Sequence, residues 1–198
     1  MRLVFKNGPR SAAGCRGLMV LLCGLLSGCS LFSSDPRVRS PGAIINDVML
    51  EDTVAADIRR ADPGFKSAHL VVVSYNGLLL LVGQVGSDAL RAKAETLARN
   101  TPKVRSVHNA LTVGGPISYL ARANDSWLTS KVKTRLFAGR KTAARKLKVV
   151  TENGVVYLFG ILLHSEAEAA TASARQVYGV QQIVKVFEYL EASDLEAK

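Results

Sequence analysis

A block written twice constrains this chain more than its composition does. Residues 69–83 (HLVVVSYNGLLLLVG) align without a gap on residues 146–160 (KLKVVTENGVVYLFG), 77 residues later. Upstream, Asn46, Asp47, Leu50, Val54 and Ile58 return as Asn124, Asp125, Leu128, Val132 and Leu136 at a spacing of 78. A repeat of this length specifies tandem copies of one small domain, not a solenoid of short units.

Each copy reads in the same order. Leu50, Val54 and Ile58 recur at i, i+4 and i+8, one face of a first helix. In the second copy Asn124 or Asp125 offers the N-cap of that helix. An Asn-Gly pair between two β-rich runs then predicts a hairpin, because both central residues of its turn need positive φ. Gly83 and Gly160 close the second strand. Alanine-rich helices are expected over 87–100 and 165–177, the latter opened by a near capping box at Ser165, Glu166, Ala167 and Glu168. A last strand follows at 104–113 and at 182–190. After a helical crossover it is expected to run parallel to the second strand. The order α-β-β-α-β, twice, gives an α+β chain. Each domain is expected to be a three-stranded mixed sheet packed by two helices, a two-layer solution for a chain of this length.

The N-terminus has another purpose. Arg2, Lys6, Arg10 and Arg16 precede an apolar run at 18–26, and Leu26, Ser27, Gly28 and Cys29 follow. Charge, apolar segment and small residues in that order make a bacterial secretory signal. A cysteine directly after the small residues resembles the lipobox of a bacterial lipoprotein. In such proteins the cysteine, here Cys29, is acylated and becomes the mature N-terminus. The apolar run is far too short to span a bilayer, which needs ~20 residues. The expected layout is a signal peptide at 1–28 and a lipidated cysteine with its tether at 29–45. The first domain then occupies 46–114, a linker 115–123, the second domain 124–192 and a tail 193–198. Ser30 after the cysteine, in place of an inner-membrane-retaining Asp, resembles the outer-membrane class facing the periplasm.

Processing changes the chemistry available. Cys15 and Cys23 leave with the leader, so no disulfide framework, thiol nucleophile or zinc cluster is expected. The net charge of +10 loses the leader's four basic residues and stays positive. A basic protein held at a membrane surface suggests anionic lipid as a partner, and an exported chain meets little nucleic acid. His69, His108 and His164 stand at no metal-ligand spacing, and Ser118 and Ser165 have no paired base in sight. No cofactor and no enzymatic activity are expected.

The repeated order, the Asn-Gly hairpin, the glycine after the second strand and the alanine-rich helix together resemble the BON domain. Two such domains behind a lipobox resemble the dual-BON outer-membrane lipoproteins, over Asp47 to about Glu191. The resemblance implies a non-enzymatic periplasmic lipoprotein that supports outer-membrane integrity. It further implies a second BON domain that binds anionic phospholipid through its first helix and gathers at division sites.

The two first helices differ where the residues themselves point to a site. Met49, Thr53 and Asp57 in one copy correspond to Trp127, Lys131 and Arg135 in the other, each trio beside its apolar stripe. An aromatic followed by two cations suits a membrane interface, where tryptophan sits at headgroup level and cations pair with phosphate. The expected phospholipid-binding set is Trp127, Lys131 and Arg135 with Leu128, Thr134 and Phe137, and its ligand is phosphatidylglycerol-like. Eight cations and no acid fall between residues 126 and 151. The alternative is an adaptor that docks the same basic face on an acidic surface of an envelope assembly or cell-wall hydrolase system.

Overall fold

The computed structural model describes residues 37–115 and 118–191. The expected signal peptide, Cys29, the tether up to Pro36 and the tail at 193–198 lie outside the described residues. The described residues from Arg37 onward fall in one compact unit that holds both copies.

The first copy runs α1 (Pro41–Ala61), β1 (His69–Tyr75), β2 (Leu78–Val85), α2 (Asp88–Arg99) and β3 (Ser106–Val113). The second runs α3 (Tyr119–Ala138), β4 (Lys148–Glu152), β5 (Val155–Leu163), α4 (His164–Arg175) and β6 (Gln182–Leu190). In each, an antiparallel hairpin is extended by a parallel third strand, giving sheet orders β1-β2-β3 and β4-β5-β6. This is the α+β mixed-sheet architecture that the repeat specified.

The hairpins turn as their sequence requires. Asn76 and Gly77 have φ of 52° and 77°, and Asn153 and Gly154 have 49° and 75°. The first helices begin earlier than expected, at Pro41 and Tyr119, with Ser40 and Ser118 as N-caps. Asp125 is therefore not an N-cap. It lies inside α3, and its carboxylate accepts from Asn153 N at 2.8 Å and Gly154 N at 2.9 Å. Asp47 repeats the device on Asn76 N and Gly77 N, and adds Ser74 Oγ at 2.7 Å and Arg39 Nη1 at 2.9 Å. The acid is repeated because a tight turn leaves two N–H groups without ladder partners, and a carboxylate one helix away accepts both. In α4 the helix starts one residue before Ser165, and Glu166 accepts from Leu163 N at 3.0 Å.

Each copy packs its helices on one sheet face. Leu50, Val54 and Ile58 meet Phe65, Leu79, Leu81, Ala94 and Ala98 in one core. Leu128, Val132 and Leu136 meet Val156, Leu158, Ala170 and Ala174 in the other. The opposite sheet faces are buried too, against each other. Val73, Tyr75, Leu80 and Val82 pack on Tyr157 and Phe159, with Val184 and Val186 of β6 around them. Two separate two-layer domains thus become a four-layer sandwich, helices outside and sheets within. The uninterrupted run 78–82 is what a strand buried on both faces requires, since it loses the polar alternation of a half-exposed one, but it does not say what covers the second face.

Polar contacts close the seam between the sheets. The Tyr75 hydroxyl donates to Lys146 O at 2.6 Å, and Gln84 Nε2 donates to Glu152 Oε1 at 3.1 Å. Lys148 Nζ bonds Glu51 Oε1 at 2.5 Å and Ser74 O at 3.0 Å. Arg105 and Glu188 pair across the far strands. His69 Nε2 lies 3.4 Å from Glu152 Oε2, so this histidine belongs to the seam.

Candidate functional site

The helix α3 positions the residues singled out by the sequence. Leu128, Val132 and Leu136 point into the core, which turns the neighbouring rows outward. Trp127 is 64% exposed and lies in line with Lys131 and Arg135 along one shallow groove, lined also by Ser130, Thr134 and Ala138. The groove is open because Ser130, Thr134 and Ala138 are small. The Thr134 hydroxyl is spent on its own helix, donating to Ser130 O at 3.0 Å.

Leu128 does not belong with this set. It is only 1% exposed and sits under α3 among the core residues, so it supports the helix without touching anything outside. Its position next to Trp127 in sequence puts it about 100° further round the helix, on the buried side. Phe137 is 65% exposed at the end of α3, where it lines a second groove with Lys133 and Arg145. It lies off the Trp127 row, so the outward surface of α3 is a band flanked by cations on both sides.

The electrostatics of the stripe follow from its neighbours. Lys131 Nζ donates to Tyr178 O at 2.9 Å, and Arg135 donates to the Gln176 side chain. Both partners are neutral, so the pair keeps its full positive charge. The C-cap residue Gln176 and the loop carbonyl of Tyr178, just past α4, hold the cations in place. Asp57, which stands where Arg135 does, instead accepts from Arg60 at 2.6 Å on α1.

The fold adds residues that sequence reasoning missed. Tyr178 is 93% exposed in the loop after α4, and its carbonyl holds Lys131. An aromatic before Gly179 was the only available signal. Tyr119 and Leu120 are also exposed, on the two turns by which α3 exceeds its expected start. Leu120 is seven residues before Trp127 and so shares its face. Exposed aromatic and aliphatic side chains on the same helix as two cations with neutral partners can sit at a headgroup layer, with rings among acyl carbons and cations on phosphate.

Comparison with known proteins now places the chain. The BON domain family model matches residues 46–115 and 124–191. The chain belongs to the BON-domain family. Both of its BON domains coincide with the repeated α-β-β-α-β units. Across 159 residues the chain is 37% identical to Outer membrane lipoprotein DolP of Haemophilus influenzae, covering 80% of this chain and 81% of that protein. It is 36% identical over 157 residues to the 21 kDa hemolysin of Actinobacillus pleuropneumoniae, covering 79% and 80%. These similarities support a BON-domain outer-membrane lipoprotein resembling DolP. They point to a non-catalytic protein. No helix among the described residues is long and apolar enough to cross a membrane. Among solved structures, CdsD of the type III secretion system of Chlamydia trachomatis aligns at a TM-score of 0.31 and 13% identity. That alignment covers 74% of this chain and 98% of CdsD, and the likeness is too loose to carry weight.

Proposed function

We propose that this dual-BON protein is held to the inner leaflet of the outer membrane by acylated Cys29 and binds anionic phospholipid through α3 of its second domain. One observation carries the reading: Trp127 stands exposed in line with Lys131 and Arg135, whose partners are neutral. Cations near an anionic surface contribute about 1 kcal/mol each within a Debye length. Tryptophan at an interface adds an amphipathic anchor at headgroup depth. Tethering makes the two contacts reinforce each other, because the anchor raises the local concentration of the second site. Support for outer-membrane integrity and gathering at division sites would follow from where such lipid collects. Both relatives carry names tied to membranes, one as an outer-membrane lipoprotein and one as a hemolysin.

The test is co-sedimentation of the leaderless Cys29→Ser chain with phosphatidylcholine vesicles, with and without phosphatidylglycerol. Binding only to the anionic vesicles, weakened by salt, is the expected result. Equal binding to both, or to neither, refutes the reading. Failure on lipid together with capture by an acidic protein surface would favour the adaptor alternative.

A further inference from the structure

Helix α1 carries an apolar surface that the α3 site does not use. Ile44, Ile45, Val48 and Met49 occupy neighbouring i, i+4 rows on its first turns, and all four are exposed, Ile45 at 59% and Met49 at 63%. Between Pro41 and Leu50 the only charged residue is Asp47, and its carboxylate is buried on the Asn76-Gly77 turn. The patch is therefore uncharged as well as apolar. Such patches mark contact with another apolar phase.

Its place in the fold says which one. The chain enters α1 pinned to the body at two points. Arg37 Nη1 bonds Glu166 Oε2 at 2.8 Å, and Arg39 Nη1 bonds Asp47 Oδ2 at 2.9 Å with its guanidinium 4.3 Å over the Tyr75 ring. Eight residue steps separate Cys29 from Arg37, a reach of at most about 29 Å. The patch follows directly behind this exit point.

The same end of the sandwich is cationic. The Tyr75 hydroxyl bonds Lys146 O, Lys148 bonds Glu51 midway along α1, and Arg37 and Lys146 share the Glu166 carboxylate, which sets the entry to α1 beside the turn Ala144–Lys146. Arg140, Lys141 and Arg145 around that turn are exposed, and Phe137 shares a groove with Arg145. Apolar residues, an aromatic and cations thus surround the point where the tether leaves, the composition of an interfacial surface.

We propose that this end of the sandwich is a second membrane-contact surface, seated on the leaflet that holds the chain's own acyl anchor. Ile44, Ile45, Val48 and Met49 enter the boundary between headgroups and acyl chains, and Arg140, Lys141 and Arg145 face the phosphates. The surface rests on acylation of Cys29, not on the α3 stripe. Because its apolar part needs no headgroup charge, it engages zwitterionic and anionic bilayers alike once the anchor is in place.

The test uses the acylated full-length mature chain, in which an added cysteine is the sole free thiol. An environment-sensitive fluorophore is placed at Ile45→Cys. A control fluorophore goes at Asp88→Cys, at the opposite end of the first sheet, where β2 hands over to α2. The protein is reconstituted in phosphatidylcholine vesicles with and without phosphatidylglycerol, both carrying shallow nitroxide-labelled lipid. Emission at position 45 is expected to shift to the blue and be quenched in both compositions, while position 88 stays unquenched. Quenching at 45 is expected to survive Trp127→Glu. An unquenched probe at 45, equal quenching at 45 and 88, or loss of quenching in Trp127→Glu overturns the proposal. Co-sedimentation of the Cys29→Ser chain reads the α3 site separately, so either idea can fail without the other.

Discussion

Met49, Thr53 and Asp57 of α1 occupy the positions that Trp127, Lys131 and Arg135 hold on α3, on helices with the same inward triad and the same turn-capping acid. The inward helix face, the Asn-Gly turn and the acid that caps it are kept between the copies. What faces outward has diverged: α3 shows an aromatic and two cations held by neutral groups, and α1 an uncharged patch followed by acids. The comparison teaches that core and turn residues define the fold, while the outward helix rows are free to specialise, because they touch nothing inside.

The copies also differ in backbone constraint, and this gives the largest expected effect. A Cβ at Gly83, whose φ is 117°, would fall 1.9 Å from His69 O, a backbone atom that cannot step aside. At Gly160 the nearest atoms are 3.0 Å away or more and φ is ordinary. Gly83→Ala is therefore expected to cost about 3–5 kcal/mol and Gly160→Ala about 1 kcal/mol, read by urea unfolding. Equal costs would show that the first sheet yields more easily than its geometry says.

Next come the turn-capping acids. Asp47→Ala should cost about 2–4 kcal/mol and Asp125→Ala about 1–3 kcal/mol. Both lose two backbone donors, and only Asp47 also loses Ser74 and Arg39. A larger effect at Asp125 would reverse the ranking of the copies.

On lipid, Trp127→Glu in the leaderless Cys29→Ser chain should lower affinity for phosphatidylglycerol vesicles by about tenfold or more, with an unchanged circular dichroism spectrum. Lys131→Glu and Arg135→Glu should each cost about five- to tenfold and flatten the salt dependence. Thr53→Glu at the matching site of α1 should leave that binding within about twofold. Equal losses from α1 and α3 variants would end the asymmetry.

The smallest effect is with pH. Burial alone would raise the Asp47 carboxyl, but hydrogen bonds from Asn76 N–H, Ser74 and Arg39 bring it below its ordinary value. Burial likewise works against Lys146, the Leu163 N–H and Arg37 at Glu166, and the partners again prevail. A carboxylate depressed in the fold stabilises it above the unfolded value, and that stabilisation fades as pH falls through the folded value. Thermal stability should thus hold from neutral pH to about 5 and decline below about 4. Glu166→Gln should reduce the decline, since this residue holds both the entering chain and the turn before β4.

The sequence alone determined the repeat, the strand pairing, the Asn-Gly turns and the inward triads, because each rests on local periodicity or on one residue's φ preference. It also named Trp127, Lys131 and Arg135 as neighbours, because i, i+4 spacing on a helix needs no tertiary information. Leu128 was misplaced because adjacency in sequence says nothing of which way a core lies. Tyr178 was missed because it sits in a loop 47 positions from Lys131, and only the folded domain brings the two together. Only the tertiary structure decided that the two sheets bury their second faces on each other. It also decided that Arg37 reaches Glu166 in the second domain, and that the entry to α1 lies beside the turn Ala144–Lys146. Such pairings depend on where whole layers stack, and residues far apart in the chain meet only after both copies have folded and packed.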